Sequence, residues 1–90
     1  MKKPLKCVAI DLGASGGKVI RGDFDGSRVS LKEVYRFPNC PIRLREHIYW
    51  DVLGLFEEVK NGLAIAVKGS GGRPASIGLD TWGNDFCLLD

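Results

Sequence analysis

Ligands for a transition metal are scarce in this chain, which has a single histidine, His47, and three cysteines, Cys7, Cys40 and Cys87, none in C-x-x-C spacing. A zinc centre needs clustered histidine or thiolate, so none is expected, and His47 reads as a surface residue ahead of a helix. An odd cysteine count argues against a secreted disulfide framework and for a reducing, cytoplasmic setting. Charge of one sign is missing too. Thirteen Lys and Arg against eleven Asp and Glu leave a scattered net +2, which builds no nucleic-acid face. No segment approaches the ~20 apolar residues of a membrane span, and the apolar run after Lys2, Lys3 and Lys6 breaks at Asp11, too soon for a signal-peptide core. A soluble protein without nucleic-acid or membrane partners is expected. A disordered chain is excluded by the 44% hydrophobic and 27% charged fractions.

What is present is concentrated in two places. The first is V-A-I-D-L-G-A-S-G-G-K, Val8 to Lys18. Uninterrupted apolar residues at Val8 to Ile10 predict a buried strand that carries Asp11 to a sheet rim. Gly13, Gly16 and Gly17 then allow close backbone approach to a ligand, and exposed N–H groups in such a turn form an anion site. The continuation V-I-R-G-D-F is strand-like. That removes a Walker A loop, which needs a longer spacing, a hydroxyl residue after the lysine and a following helix; the dinucleotide fingerprint fails for similar reasons. Taken alone, the turn also fits an ordinary surface hairpin.

Asp25-Gly26 marks a turn between Val19 to Phe24 and the alternating Val29 to Phe37, so three antiparallel strands are predicted. Pro38 to Tyr49, with two prolines and mixed charge, reads as a loop. Asp51 is the expected N-cap of a helix whose apolar face is Val52, Leu55, Phe56, Val59, Leu63, Ala66 and Val67, ending at Gly69-Ser70-Gly71-Gly72. Ser76 to Leu79 is expected as a short buried strand ending at Asp80. The order β-β-β-α-β lays that strand parallel to the first. This is an α/β arrangement matching the opening of the ribonuclease-H-like fold of actin, hexokinase and the heat-shock ATPases. Asp11 and Asp80 then meet at the carboxyl ends of neighbouring strands, where ligands of open α/β sheets bind, as a candidate magnesium and substrate site. Asp80 alone also fits a loop-capping residue. The apolar strand-like run Phe86 to Leu89 has nothing to turn into, so the chain reads as the N-terminal fragment of a longer protein.

The second concentration, Asp80-Thr81-Trp82-Gly83-Asn84-Asp85, packs carboxylates, an amide, a hydroxyl, an indole and a glycine into six residues. Carboxylates and amides satisfy several sugar hydroxyls while an aromatic face covers the C–H side. Trp82 also fits a core or lid residue.

Together, D-L-G-A-S-G-G-K at Asp11 to Lys18 and I-G-L-D-T-W-G-N-D-F-C-L-L-D at Ile77 to Asp90 resemble the FGGY carbohydrate kinases, and within them the rhamnulokinases. R-F-P-N at Arg36 to Asn39 and Y-W-D-V at Tyr49 to Val52 fit the same pattern. The resemblance implies that Ala14, Ser15, Gly16, Gly17 and Lys18 bind ATP phosphates and that Gly83 contacts a ketose. Asp11 is expected to organise Mg2+ through water; Trp82, Asp85 and Asp80 join the sugar pocket on chemical grounds. The family usually has serine at Gly16 and arginine at Lys18, and lysine lacks the bidentate fork. The implied reaction is ATP-dependent phosphorylation of L-rhamnulose to L-rhamnulose 1-phosphate in L-rhamnose catabolism, with base and adenosine site beyond residue 90. Residues 1–90 are then part of the first kinase domain, lack the second and are inactive alone. Rival readings are a kinase for fuculose, xylulose or another polyol, and a non-metabolic ATPase of the actin or heat-shock type.

Overall fold

A computed structural model describes residues 4–89. Lys2, Lys3 and Asp90, which figure in the leader and motif readings above, lie outside the described residues. Three strands form an antiparallel meander: β1 (Leu5–Leu12), β2 (Gly16–Phe24) and β3 (Val29–Pro38). A small hairpin, β4 (Ile42–Leu44) and β5 (His47–Tyr49), leads into α1 (Val52–Ser70), and β6 (Ser76–Thr81) closes the order. The main sheet runs β3-β2-β1-β6, with β6 parallel to β1. The mixed sheet and β-β-β-α-β order agree with the ribonuclease-H-like expectation.

Local chemistry explains the junctions. The Asp25 carboxylate accepts from the backbone N–H of Ser27 at 2.9 Å and of Arg28 at 2.8 Å, and Gly26 at φ 105° turns the chain from β2 to β3. Those N–H groups stabilise the ionised form and hold Asp25 below the usual carboxylate range. Asp51 caps α1 by accepting from Gly54 N–H at 3.0 Å, and Gly71 ends it in the left-handed conformation.

Val8, Ile10, Val19 and Ala66 form the buried core, where α1 crosses β1, β2 and β3. A Cβ at Gly62 would meet the Val19 side chain at 2.4 Å, so the helix sits close because that residue is glycine. Tyr35 O–H donates to Glu58 on α1 at 3.1 Å. Desolvation of the phenol, followed by that bond, raises its pKa above the ordinary tyrosine value.

Three expectations are corrected. Pro38 to Tyr49 is not simply a loop: residues 42–49 make a hairpin, paired Leu44 to His47 and turned at Arg45 with φ 58°. The two-residue turn needs no glycine once Arg45 takes the left-handed conformation. His47 is exposed, as expected, but on β5. Second, β6 is not buried; Ile77 and Leu79 are 55% and 64% exposed because α1 covers β1 to β3 and stops short of the sheet edge. The helix's predicted apolar face is therefore half covered. Val52 and Phe56 border an open groove with Ile10, Leu12, Leu79 and Trp82. Third, Phe86 to Leu89 forms no strand and is exposed; a strand needs a paired edge for its backbone groups, and no other described strand borders it.

Candidate functional site

The sheet register aligns four charged residues in one transverse row. Asp80 is the Cα partner of Asp11, Asp11 of Lys18, and Lys18 of Arg36. Directly paired residues share a sheet face, and alternation puts this row opposite Val8, Ile10 and Val19, hence opposite α1. With about 4.8 Å between strands, the row spans about 14 Å. It is bipolar: two carboxylates on β6 and β1, two cations on β2 and β3. The described residues contain two ion pairs, Arg36–Glu33 and Lys60–Glu57. Among the described residues, Asp80, Asp11 and Lys18 take part in no ion pair.

The turn at residues 13–15 adjoins this row. Gly13 N–H donates to Gly16 C=O at 2.8 Å, closing the turn. Asn39, only 5% exposed, clamps it from β3's end: its backbone N–H donates to Ser15 C=O and its side-chain amide to Gly13 C=O, both at 3.1 Å. The R-F-P-N segment thus carries a positioning residue that sequence reasoning left without a role. The amides of exposed Ala14 and Ser15 donate to no backbone carbonyl among the described residues, which suits an anion. A cleft of about 510 Å³ lies alongside, lined by residues 15–18 and by Arg36, Phe37 and Pro38.

The glycines have a different physical basis from the one expected. None of Gly13, Gly16 and Gly17 has positive φ. A Cβ at Gly17 would lie 2.2 Å from the Phe37 ring, one at Gly13 2.9 Å from Gly16 C=O, and one at Gly16 3.1 Å from Phe37 C=O. Gly17 itself is buried beneath Phe37. Packing between β2 and β3 therefore accounts for Gly17, and the open side of the turn is Ala14 and Ser15.

After Thr81, the second motif folds around an aromatic pair. The indoles of Trp50 and Trp82 lie with ring centroids 4.4 Å apart, and both N–H groups donate to Asp85 Oδ2, at 2.6 Å and 2.9 Å. Asp85 thus orients two indoles and keeps Oδ1 for another donor. Trp50 was missed as a site residue; its only signal was the Y-W-D-V segment. A Cβ at Gly83 would meet nothing within 4 Å, so its backbone stands in open space. Among the described residues no group of three or more His, Cys, Asp or Glu comes together. Magnesium is commonly held by one or two carboxylates with water and substrate phosphate; Asp11 and Asp80 fit that need.

No family model matches the chain. Curated proteins do. The chain is 46% identical over 81 residues to the rhamnulokinase of Bacteroides thetaiotaomicron, covering 90% of this chain and 16% of that protein. The homology is to rhamnulokinases. They are carbohydrate kinases of the FGGY family, matched here over a small N-terminal part. The rhamnulokinase of Oceanobacillus iheyensis is 42% identical over 83 residues, and that of Mannheimia succiniciproducens 41% over 88 residues. These alignments take in 92% and 96% of the chain but 17% and 18% of the two rhamnulokinases. No described helix is long and apolar enough to cross a membrane.

Proposed function

We propose that residues 1–90 are the N-terminal part of the first domain of a cytoplasmic FGGY kinase that transfers the γ-phosphoryl group of ATP to L-rhamnulose. The observation that carries this reading is the bipolar row Asp80–Asp11–Lys18–Arg36 beside the free amides of Ala14 and Ser15. Phosphoryl transfer depends chiefly on positioning and on neutralising phosphate charge, and the row separates those tasks. Ser15, with the neighbouring backbone amides and Lys18, holds phosphate oxygens. Asp11 and Asp80 are the residues to hold Mg2+, which when bound neutralises phosphate charge. Neither carboxylate is the base that takes the sugar proton; that residue and the adenosine site belong to the remainder of the kinase.

The ketose lies against the indole pair and the Gly83 backbone. Trp50 and Trp82 offer an aromatic surface for its C–H side, and Asp85 keeps them in register while Oδ1 remains for a hydroxyl. Support for a rhamnulokinase over a related kinase comes from the identity of 41–46% to rhamnulokinases across almost the whole chain. The test is phosphorus NMR on the longer protein with Mg-ATP and L-rhamnulose. A new phosphomonoester at the primary hydroxyl is expected, and residues 1–90 alone should form none. Turnover by the isolated chain, or no sugar phosphate from the longer protein, contradicts the reading.

A further inference from the structure

Arg36 stands outside every assignment made above on sequence grounds, yet it ends the charged row. It is the cross-strand partner of Lys18 and lines the same cleft as Ser15, Gly16 and Gly17. Its orientation has a specific cause. The β2–β3 register shifts between Val19 and Ile20: Val19 pairs with Tyr35 and Ile20 with Glu33, leaving Val34 as an extra residue. In a regular strand, residues three apart point to opposite faces. The bulge cancels one alternation, so Glu33 and Arg36 share the face that bears Lys18 and Asp11. Glu33 Oε1 then accepts from Arg36 Nε at 2.7 Å. That bond uses the inner edge of the guanidinium. Neither terminal nitrogen meets an acceptor among the described residues, and Val34 and Tyr35 anchor the bulge against the core.

We infer that Arg36 is a second phosphate-binding cation, which with Lys18 grips the polyphosphate chain across the β2–β3 ladder, and that Glu33 is its positioning residue. Lys18 supplies a point charge; Arg36 supplies a planar fork able to bind two oxygens of one phosphate. An exposed ion pair contributes little to stability, so aiming the fork is the better account of Glu33. This inference rests on the phosphate-site reading above, but does not require that the phosphoryl acceptor be a sugar.

The experiment has two arms. Inorganic tripolyphosphate is titrated into the 90-residue chain by calorimetry at two salt concentrations, comparing wild type with R36A, R36Q and E33Q. Loss of a bidentate charged contact should weaken binding at least about tenfold in both Arg36 variants and flatten the salt dependence. E33Q, which leaves the Arg36 charge in place but loses the carboxylate that aims it, should weaken binding several-fold. In the longer protein, R36Q should raise KM for ATP while KM for the ketose stays within twofold. Tripolyphosphate affinity equal in wild type and R36Q, or no binding by folded wild type, overturns the clamp. Normal KM for ATP in an active R36Q kinase also overturns it and leaves the kinase reading intact. Arg36-dependent tripolyphosphate binding without ketose phosphorylation supports the clamp and removes the kinase reading.

Discussion

Replacing Asp85 by alanine should separate the two indoles before it does anything else. Asp85 Oδ2 takes both indole hydrogens, at 2.6 Å and 2.9 Å. A hydrogen bond to a charged group contributes about 1.5–3 kcal/mol when shielded. Asp85 is exposed, so water competes and the two bonds together should contribute about 1–2 kcal/mol. A loss of that size lowers the ratio of paired to splayed indoles by roughly five- to thirtyfold. The readout is clean because the chain's two tryptophans are both in this cluster. Indoles with centroids 4.4 Å apart should give an exciton couplet in circular dichroism. It should collapse in D85A and persist weakened in D85N, whose amide oxygen still accepts but carries no charge. In the longer protein, D85A should lower kcat/KM for the ketose roughly tenfold to hundredfold and leave KM for ATP unchanged. A full couplet in D85A, or sugar kinetics equal to wild type, would refute the role given to this carboxylate.

Gly17→Ala should cost about 1–3 kcal/mol of stability by driving a Cβ into the Phe37 ring; in urea unfolding, F37L should recover part of that loss in the double variant, and strict additivity would count against the contact. Asn39→Ala should leave Gly13 C=O without its side-chain donor, costing about 1–2 kcal/mol and raising KM for ATP more than KM for the ketose. Equal effects on both would make Asn39 a general stability residue. Tyr35 has its pKa raised in the fold, so the folded state binds the phenol proton more tightly than the unfolded chain. The associated stability is complete below the ordinary tyrosine pKa and is lost as pH rises through the folded one. Urea midpoints should therefore fall more steeply at alkaline pH in wild type than in Y35F; parallel curves would remove the proton linkage.

The meander, the capped helix and the parallel return strand were all legible because each rests on a local signal: alternation, Asp25-Gly26, Asp51 and Gly71. The adjacency of Asp11 and Asp80 followed from topology. Other features depend on what lies across the chain. Nothing in V-S-L-K-E-V-Y-R-F-P announces that Val34 will bulge, and the bulge is what brings Glu33 to the face of Arg36. The glycine at 17 suggested backbone freedom, whereas its cause is the aromatic ring of Phe37 on the neighbouring strand. Trp50 and Asp85 are 35 residues apart, so neither segment alone reveals the indole pair. The exposure of β6 was likewise hidden: I-G-L-D is apolar enough for a core, and only the reach of α1 leaves it bare.

The most direct test is a coupled ADP-release assay on the longer protein carrying this chain, with Mg-ATP and L-rhamnulose, L-fuculose, L-ribulose or D-xylulose in turn. Ketose-dependent ADP release is expected, with the highest kcat/KM for L-rhamnulose and little release without sugar. Preference for another ketose would contradict the substrate assignment, and ADP release indifferent to every sugar would contradict the kinase itself.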